Sequence, residues 1–448
     1  MQHSHEALDR PGGFGRTNLL APLRHRDFCV LWLGMAVSLI GDGIFFVAVA
    51  WESYALWNAP AALSIVGIGM TVPTVAFLLV GGVVSDRFDR RLVMVWADVL
   101  RAAAVAGLAV LVLMGALRFW ELVALVAVYG IGTAFFTPAF EAIVPELVPA
   151  ADLPAANSLD QLIRPIALRL LGPVLGGALI ALGTGLAFAI DATSFGVCLV
   201  SVLALRRVPR SRPAAEVSTV SALKEGLWFV RRRVWLWGTL LSAAITYLVF
   251  LGPAEVLLPF VVKNDLHGSA GTLGLVLAAG GLGAVGGAAF MGHRGHPRRD
   301  VTVMYLTWTV ATFAIAGYGI ATAAWQLMAA CLVFNALEAA GTIVWATIKQ
   351  RHVPASMLGR VSSLDWLISI GLLPVSFALT APVAGVIGAR TTLVGAAVVG
   401  GLVTFGALFL PRMRDIEGGS EGGPEAESAQ AFVESPVGVR AAASSRPI

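Results

Sequence analysis

Charge is the scarcest commodity in this sequence. Of 448 residues only 13% are Asp, Glu, Lys or Arg, about half the share that soluble domains carry, roughly 25%. That shortage excludes an ordinary water-soluble domain. Cysteine is scarce too: Cys29, Cys198 and Cys331 lie within or at the ends of apolar runs. Their spacing offers neither a disulfide framework nor a CxxC metal site, so they read as small packing residues. No Gly-Lys dipeptide occurs, which removes the Walker A phosphate loop and with it an ATP-driven motor. The first 27 residues are polar and the first apolar run is too long for a signal core, so no cleavable signal is expected. No catalytic residues, cofactor or metal ligands can be assigned.

What the chain has is hydrocarbon. It is 57% hydrophobic with a mean hydropathy of +0.81. A helix rises about 1.5 Å per residue, so runs of about 20 apolar residues can cross a bilayer. Twelve such spans are expected: 28–51, 61–84, 92–115, 120–142, 161–183, 186–206, 234–261, 270–292, 301–321, 324–347, 361–388 and 391–411. With even-numbered turns on one side, that side collects Arg16, Arg24, Arg26, Arg87, Arg90, Arg91, Arg294, Arg298, Arg299, Lys349, Arg351 and Arg360, plus the central linker's arginines. The other side has Arg118, Lys263 and Arg390. The positive-inside rule therefore predicts cytoplasmic termini in a cell membrane. The net charge of +4 follows from that rule and gives no reason to infer nucleic-acid binding.

The chain is also written twice. VPAADLPAANSLDQLI (148–163) and VPASMLGRVSSLDWLI (353–368) agree at nine of sixteen positions, 205 residues apart. The same offset carries Gly81-Gly82 onto Gly286-Gly287, and Arg26 and Trp32 onto Arg231 and Trp237. Two copies of a six-span unit predict an all-α membrane protein of two pseudo-symmetric bundles that rock about a central site. The divisions are a tail (1–27), a first bundle (28–206), a linker (207–233), a second bundle (234–411) and a disordered tail (412–448). Within the linker, 218–233 reads as an amphipathic surface helix, with Leu223, Leu227, Trp228 and Val230 opposite Lys224, Glu225 and the Arg triplet.

Two motif matches carry no chemistry. Gly281 to Gly286 fits GxGxxG but sits inside an apolar span with no strand before it; there Gly283 and Gly287 form a GxxxG packing pair. The GxSxG at 418–422 lies in the low-complexity tail and cannot build a nucleophile elbow.

The turn between spans 2 and 3 is more specific. Gly82, Asp86, Arg87, Arg90 and Arg91 spell GxxxDRxxRR, which resembles the signature of the major facilitator superfamily; the family pattern has Gly where this chain has Asp89. The resemblance implies that Asp86 meets the inner end of span 11 in the opposite half, where a helix N-terminus favours a carboxylate by about 0.3–1 kcal/mol. The motif would then latch the inner gate shut. Asp98 and Arg101, at i and i+3, would belong to the same inner charge cluster. On span 5, Gly172, Pro173, Gly176 and Gly177 spell GPxxGG, similar to the antiporter motif of exporters in this superfamily. The fuller pattern has Gly where this chain has Leu168. Glycines four apart make a smooth face and Pro173 permits a bend; the resemblance favours export over import. The repeated segments, PAFEAIVPELVP (138–149) and the opening Leu23 to Phe46 resemble the third drug:proton antiporter family, the branch of macrolide-efflux proteins and enterobactin exporters. That likeness covers nearly the whole chain apart from its tails.

Charges inside the membrane cost about 2.5–3.5 kcal/mol on insertion scales, so each needs a reason. Asp42, Glu255 and Glu338 fall on spans 1, 7 and 10, and the facilitator fold implies that spans 1, 4, 7 and 10 line the cavity. Asn335 shares the face of Glu338, and Arg169 and Arg164 on span 5 are the available counter-charges. Burial disfavours an ionised carboxylate, so these groups could exchange protons with a transported small molecule, Asp42 first and Glu338 second; holding helices together is the competing role. Asp191, Glu121 and Glu52 read as solvated rim residues, and Glu141 as lying near the inner mouth. Trp32, Phe45, Phe46, Trp51, Phe135, Phe136, Tyr247, Trp345 and Trp366 could furnish an apolar pocket. The expectation is a monomeric transporter, not an enzyme, whose partners are protons, a small amphipathic substrate and the lipid bilayer. A dedicated exporter of one metabolite, or a non-transporting sensor or scaffold, are the alternatives.

Overall fold

A computed structural model describes residues 20–149, 151–206, 219–294 and 297–417. The N-terminal tail to residue 19, the linker 207–218 and the tail from 418 lie outside the described residues. Among those described, every element is helical.

Among the described residues eleven helices are long and apolar enough to cross a membrane. Spans 1 to 4 are Arg26–Leu56, Pro60–Arg87, Arg90–Leu113 and Phe119–Leu147. Span 5 is built of three pieces: α-helix Leu153–Arg164, π-helix Pro165–Leu171 and α-helix Gly172–Ile180. The two prolines that flank the π-helical turn supply the reason. Pro165 and Pro173 lack an N–H, and the carbonyls they leave unpaired loosen the ladder into a wider turn. Span 6 is Thr184–Leu203, entered from Gly183, whose φ of +133° only glycine adopts easily. In the second half, span 7 is Val234–Phe260 with a π-helical end Val261–Asp265, and span 8 is Ala270–Arg294. Span 9 is Asp300–Ala314 followed by Ala316–Ile320; span 10 is Ala324–His352 and span 12 is Ala389–Ala407. The region expected as span 11 is not among those eleven: it is broken at Leu372 into Ala355–Gly371 and the shorter apolar helix Leu373–Ile387. Pro374 follows that break and cannot donate back to the preceding turn.

Span 5 begins eight residues before the expected boundary at 161, because its first turns carry Asn157, Asp160 and Gln161 and a hydropathy window passes over them. The linker helix is Thr219–Arg231. Phe229 and Val230 are buried, while Leu227 and Trp228 are exposed, so its apolar face is split between protein and surroundings. The expected tail does not start at 412. Met413 is fully buried between spans 7 and 9, 2.6 Å from where a Gly238 side chain would begin. Glu417 receives the Thr302 backbone N–H and, at 3.0 Å, the Thr302 hydroxyl, capping the start of span 9.

Both ends of the described chain and the linker helix lie on one face, here the terminal face. The halves meet toward the opposite, far face. There Tyr54 donates to the Val256 carbonyl at 2.6 Å and Asn58 donates to Asn264 at 2.7 Å. Asn58 and Asn264 are 206 residues apart, within one position of the sequence repeat, as residues flanking a pseudo-two-fold axis must be. Gly177 of span 5 lies against Gly271 and Gly274 of span 8, and Gly67 of span 2 against Phe377 of span 11. The largest buried apolar cluster joins both halves, from Phe45 and Phe188 to Leu257 and Leu393. Two others are each confined to one half, around Phe140 and around Tyr305. The terminal-face ends of spans 5 and 11 pack within their own halves, whereas their far portions pack on spans 8 and 2. The molecule is therefore closed on the far face and open on the terminal face.

Candidate functional site

The charges inside the bundle fall into two groups. One lies within the first half. Asp42, Asp98, Arg101 and Asp191 are 6%, 0%, 4% and 0% exposed. Tyr129 of span 4 donates to Asp42 Oδ1 at 2.7 Å. Arg101 pairs with Asp98 one turn before it on span 3, and its guanidinium stacks over Phe136 at 4.2 Å and Phe195 at 4.6 Å. Ser194 donates to Asp191 Oδ1 at 3.1 Å, and Phe45 stacks on Tyr129 with centroids 4.4 Å apart. Asp42 lies in the electrostatic field of both Arg101 and Asp191. Span 1 makes room for this with Gly41, where a Cβ would come within 2.3 Å of Asp191 Oδ1. Three carboxylates thus surround one guanidinium in a dry interior. Asp98 Oδ2, Asp191 Oδ2 and Arg101 Nε have no hydrogen-bond partner, an expensive arrangement unless protons or movement relieve it.

The second group lies where the halves face each other. Arg169, in the π-helical turn of span 5, reaches across to donate to Asn335 Oδ1 of span 10 at 2.9 Å. Glu255 of span 7 is accessible to solvent in mid-span and sits within the field of Arg169. Tyr247 of span 7 lies in the electrostatic field of Glu338, Asp365 and Arg169, and Glu338 receives the Thr342 hydroxyl at 3.0 Å. An accessible carboxylate and guanidinium halfway across a bilayer mark a wet hollow. With one guanidinium and two carboxylates, its formal charge is negative.

These positions correct three expectations. Asp42 does not share a cavity wall with Glu255 and Glu338; it turns into its own bundle toward Tyr129. Asp191 is not a solvated rim residue but wholly buried beside Asp42. Asp98 and Arg101 belong to this interior network rather than to the charged turn beneath. Tyr129 went unnoticed in the sequence, its signal a lone phenol in an otherwise apolar span, too common to single out; Tyr247 was named there only as one of the aromatics of an apolar pocket. Of the aromatic candidates, Phe45 and Phe136 frame the buried network. Trp345 donates to Asp365 Oδ2 at 2.9 Å and Trp51 lies under the Lys263 ammonium at 5.2 Å. The Trp366 side chain lies outside the described residues.

Three residues of the turn between spans 2 and 3 bond within their own half. Asp89, the departure from the family pattern, accepts from the Arg91 N–H at 2.9 Å and so caps span 3. Arg90 bonds the Ala142 carbonyl at 2.8 Å and Glu146 at 2.5 Å, and Arg91 bonds the Leu203 carbonyl. Gly82 is half-buried and Arg87 exposed; the Asp86 carboxylate lies outside the described residues. On span 5 the GPxxGG glycines divide their work. Gly172 lies against Gly43, directly after Asp42, and Gly176 lies against Ile44; Gly177 and the Pro173 carbonyl meet span 8 of the other half. Arg164 pairs with Asp160 at 2.9 Å.

The profile of a family described as transmembrane secretion effector matches residues 17–437. The chain belongs to that family. It is a member of the major facilitator superfamily, in the branch its motifs resemble. Enterobactin exporter EntS of Citrobacter koseri is 28% identical over 406 residues, covering 88% of this chain and 93% of that protein. Macrolide efflux protein A of Streptococcus pyogenes is 24% identical over 367 residues, covering 81% and 90%. Among solved structures, the nucleoside transporter NupG superposes with a TM-score of 0.66 at 11% identity, covering 86% of this chain and all of that one. A bacterial homologue of the lysosomal transporter Spinster, in an inward-facing conformation, gives 0.62 at 16% identity, covering 90% and 100%. The fold is thus the facilitator fold, and the protein is a multi-pass membrane transporter.

Proposed function

We propose that this transporter is a proton-coupled exporter of small amphipathic, preferentially cationic compounds, working by alternating access in the bacterial cell membrane. The observation that carries the reading is the separation of its two charged groups: a dry network holding three carboxylates around Arg101, and a wet hollow holding Arg169, Asn335, Glu255 and Glu338. The arginine-rich turns on the terminal face favour a cytoplasmic position for that face, which makes the present conformation open to the cytoplasm and ready to load an outbound substrate.

The hollow's formal negative charge suits a cation, whose arrival would compete with Arg169 for Glu255. In the dry network two protons would balance the charge of the three carboxylates against the single guanidinium. Asp42 is the member best placed to act on the rest, because Gly43 beside it touches Gly172, one turn from Arg169. A proton gained or lost at Asp42 would shift span 1 against span 5 and so bear on the clasp between Arg169 and Asn335. Export, rather than uptake, is supported by the GPxxGG motif and by the exporters among the relatives.

The test is Asp42→Asn in proteoliposomes carrying a pH-sensitive dye. Substrate-induced proton movement should disappear while substrate still binds. Unchanged proton movement would remove Asp42 from coupling. A dedicated exporter of one metabolite is the second reading, favoured by the 28% identity to an enterobactin exporter. A panel of cationic drugs that gains no resistance from the protein would favour it.

A further inference from the structure

A groove of about 690 Å³ opens on the second half, away from the charged hollow. Its walls come from span 8 (Leu282, Gly286, Phe290), span 9 (Val303, Thr307) and span 10 (Ala336, Ala340). On span 10, Ala336 and Ala340 lie on the side of the helix away from Asn335 and Glu338, which face the hollow. On span 8, Leu275, Leu282 and Phe290 form an exposed stripe along the helix. The groove therefore faces the hydrocarbon of the bilayer. It exists because the residues are small: Gly283 and Gly287 bring span 8 onto the Leu332 and Ala336 carbonyls, and a Cβ at Gly286 would meet nothing within 4 Å.

At the terminal-face end the groove stops at Arg294 and Pro297. Arg294, Arg298 and Arg299 are exposed there, the first with its guanidinium 5.5 Å from the Phe290 ring. An apolar trough the size of a ligand site, embedded in membrane-spanning helices and ending in three cations, has the polarity of a lipid: tail above, anionic headgroup below.

We propose that this groove is a binding site for one anionic phospholipid, its acyl chain lying over Gly286 between spans 8, 9 and 10 and its phosphate held by Arg294 with Arg298 and Arg299. Such a lipid would brace the second half along the surface that must stay rigid while the halves rock. This site is independent of the coupling scheme above.

Native mass spectrometry of the detergent-purified full chain, titrated with phosphatidylglycerol or with phosphatidylcholine of the same chains, tests it. The wild type should retain one phosphatidylglycerol in preference to phosphatidylcholine. Gly286→Leu starts from a Cβ that meets nothing within 4 Å, projects into the trough, and should lose that adduct while unfolding at the wild-type temperature in the absence of lipid. Arg294→Gln should keep a lipid but lose about fivefold of the headgroup preference, the scale of one basic residue at an anionic membrane surface. Retention of the adduct by Gly286→Leu overturns the proposal. Inorganic phosphate raising the unfolding temperature as much as the lipid would equally overturn it, since the tail would then contribute nothing.

Discussion

Replacing Gly172 with alanine probes the link between the buried charges and the hollow. An added Cβ would sit 2.5 Å from Gly43 Cα and 2.8 Å from both the Gly43 carbonyl carbon and the Ala167 oxygen. Carbon atoms pack best at about 3.5–4.0 Å, so the shortfall is roughly 1 Å. Every neighbouring atom is backbone, and no rotamer change can relieve the clash. Spans 1 and 5 must move apart bodily, for which overpacking typically costs about 1–3 kcal/mol. Because Arg169 lies one turn away on the same span, the displacement also lengthens its 2.9 Å bond to Asn335. Thermal unfolding in detergent should show the loss, and transport in vesicles should slow. Gly43→Ala offers the matching probe, with its Cβ 2.8 Å from Gly172 Cα. If both substitutions strain one contact, the second costs less in the presence of the first, a coupling of about 0.5–3 kcal/mol. Additive effects, or a Gly172→Ala protein with unaltered stability and transport, would refute the argument.

Two further outcomes follow from the charged groups. Arg101→Met strips the counter-charge from the fully buried Asp98, and should destabilise by about 3–5 kcal/mol in thermal unfolding; adding Asp98→Leu should recover much of the loss, and a failure to do so would show that Asp98 is not the group left stranded. Glu255→Gln should weaken binding of cationic substrates by an amount between roughly 1 and 4 kcal/mol, the range for a charge pair from open water to a half-screened site, while neutral analogues bind as before. Equal losses for both kinds of ligand, measured by fluorescence binding, would argue against an electrostatic role.

The architecture was legible because it rests on strong signals. Long apolar runs announce the crossings, of which eleven stand among the described residues, and the repeated SLD segments fall at matching places, near the starts of spans 5 and 11. Boundaries failed where polarity and helix diverge: Asn157 and Asp160 lie on a helix that hydropathy passes over, and Met413 is a core residue beyond the last span. The site was half legible. The carboxylates stood out as charges in hydrocarbon, but the direction each faces depends on helix rotation, which the sequence leaves free. Asp42 could therefore be found but not aimed. Asp191 was misplaced because distance along the span was taken for depth of exposure, when Gly41 across from it opens a pocket in the interior. Arg169 owes its reach to a π-helical turn between two prolines, a geometry that no periodicity announces.

The seal on the far face has a property that its composition makes plain. Between spans 5 and 8 it includes glycine against glycine and glycine against the Pro173 carbonyl, so at these points main chain touches main chain. Interdigitated side chains would have to withdraw and find new rotamers before such a joint could part, each losing or regaining conformational freedom. Two bare backbones separate with no such rearrangement, and they find the same register when they return. The hinge of this machine therefore opens like a pair of smooth plates rather than a zip.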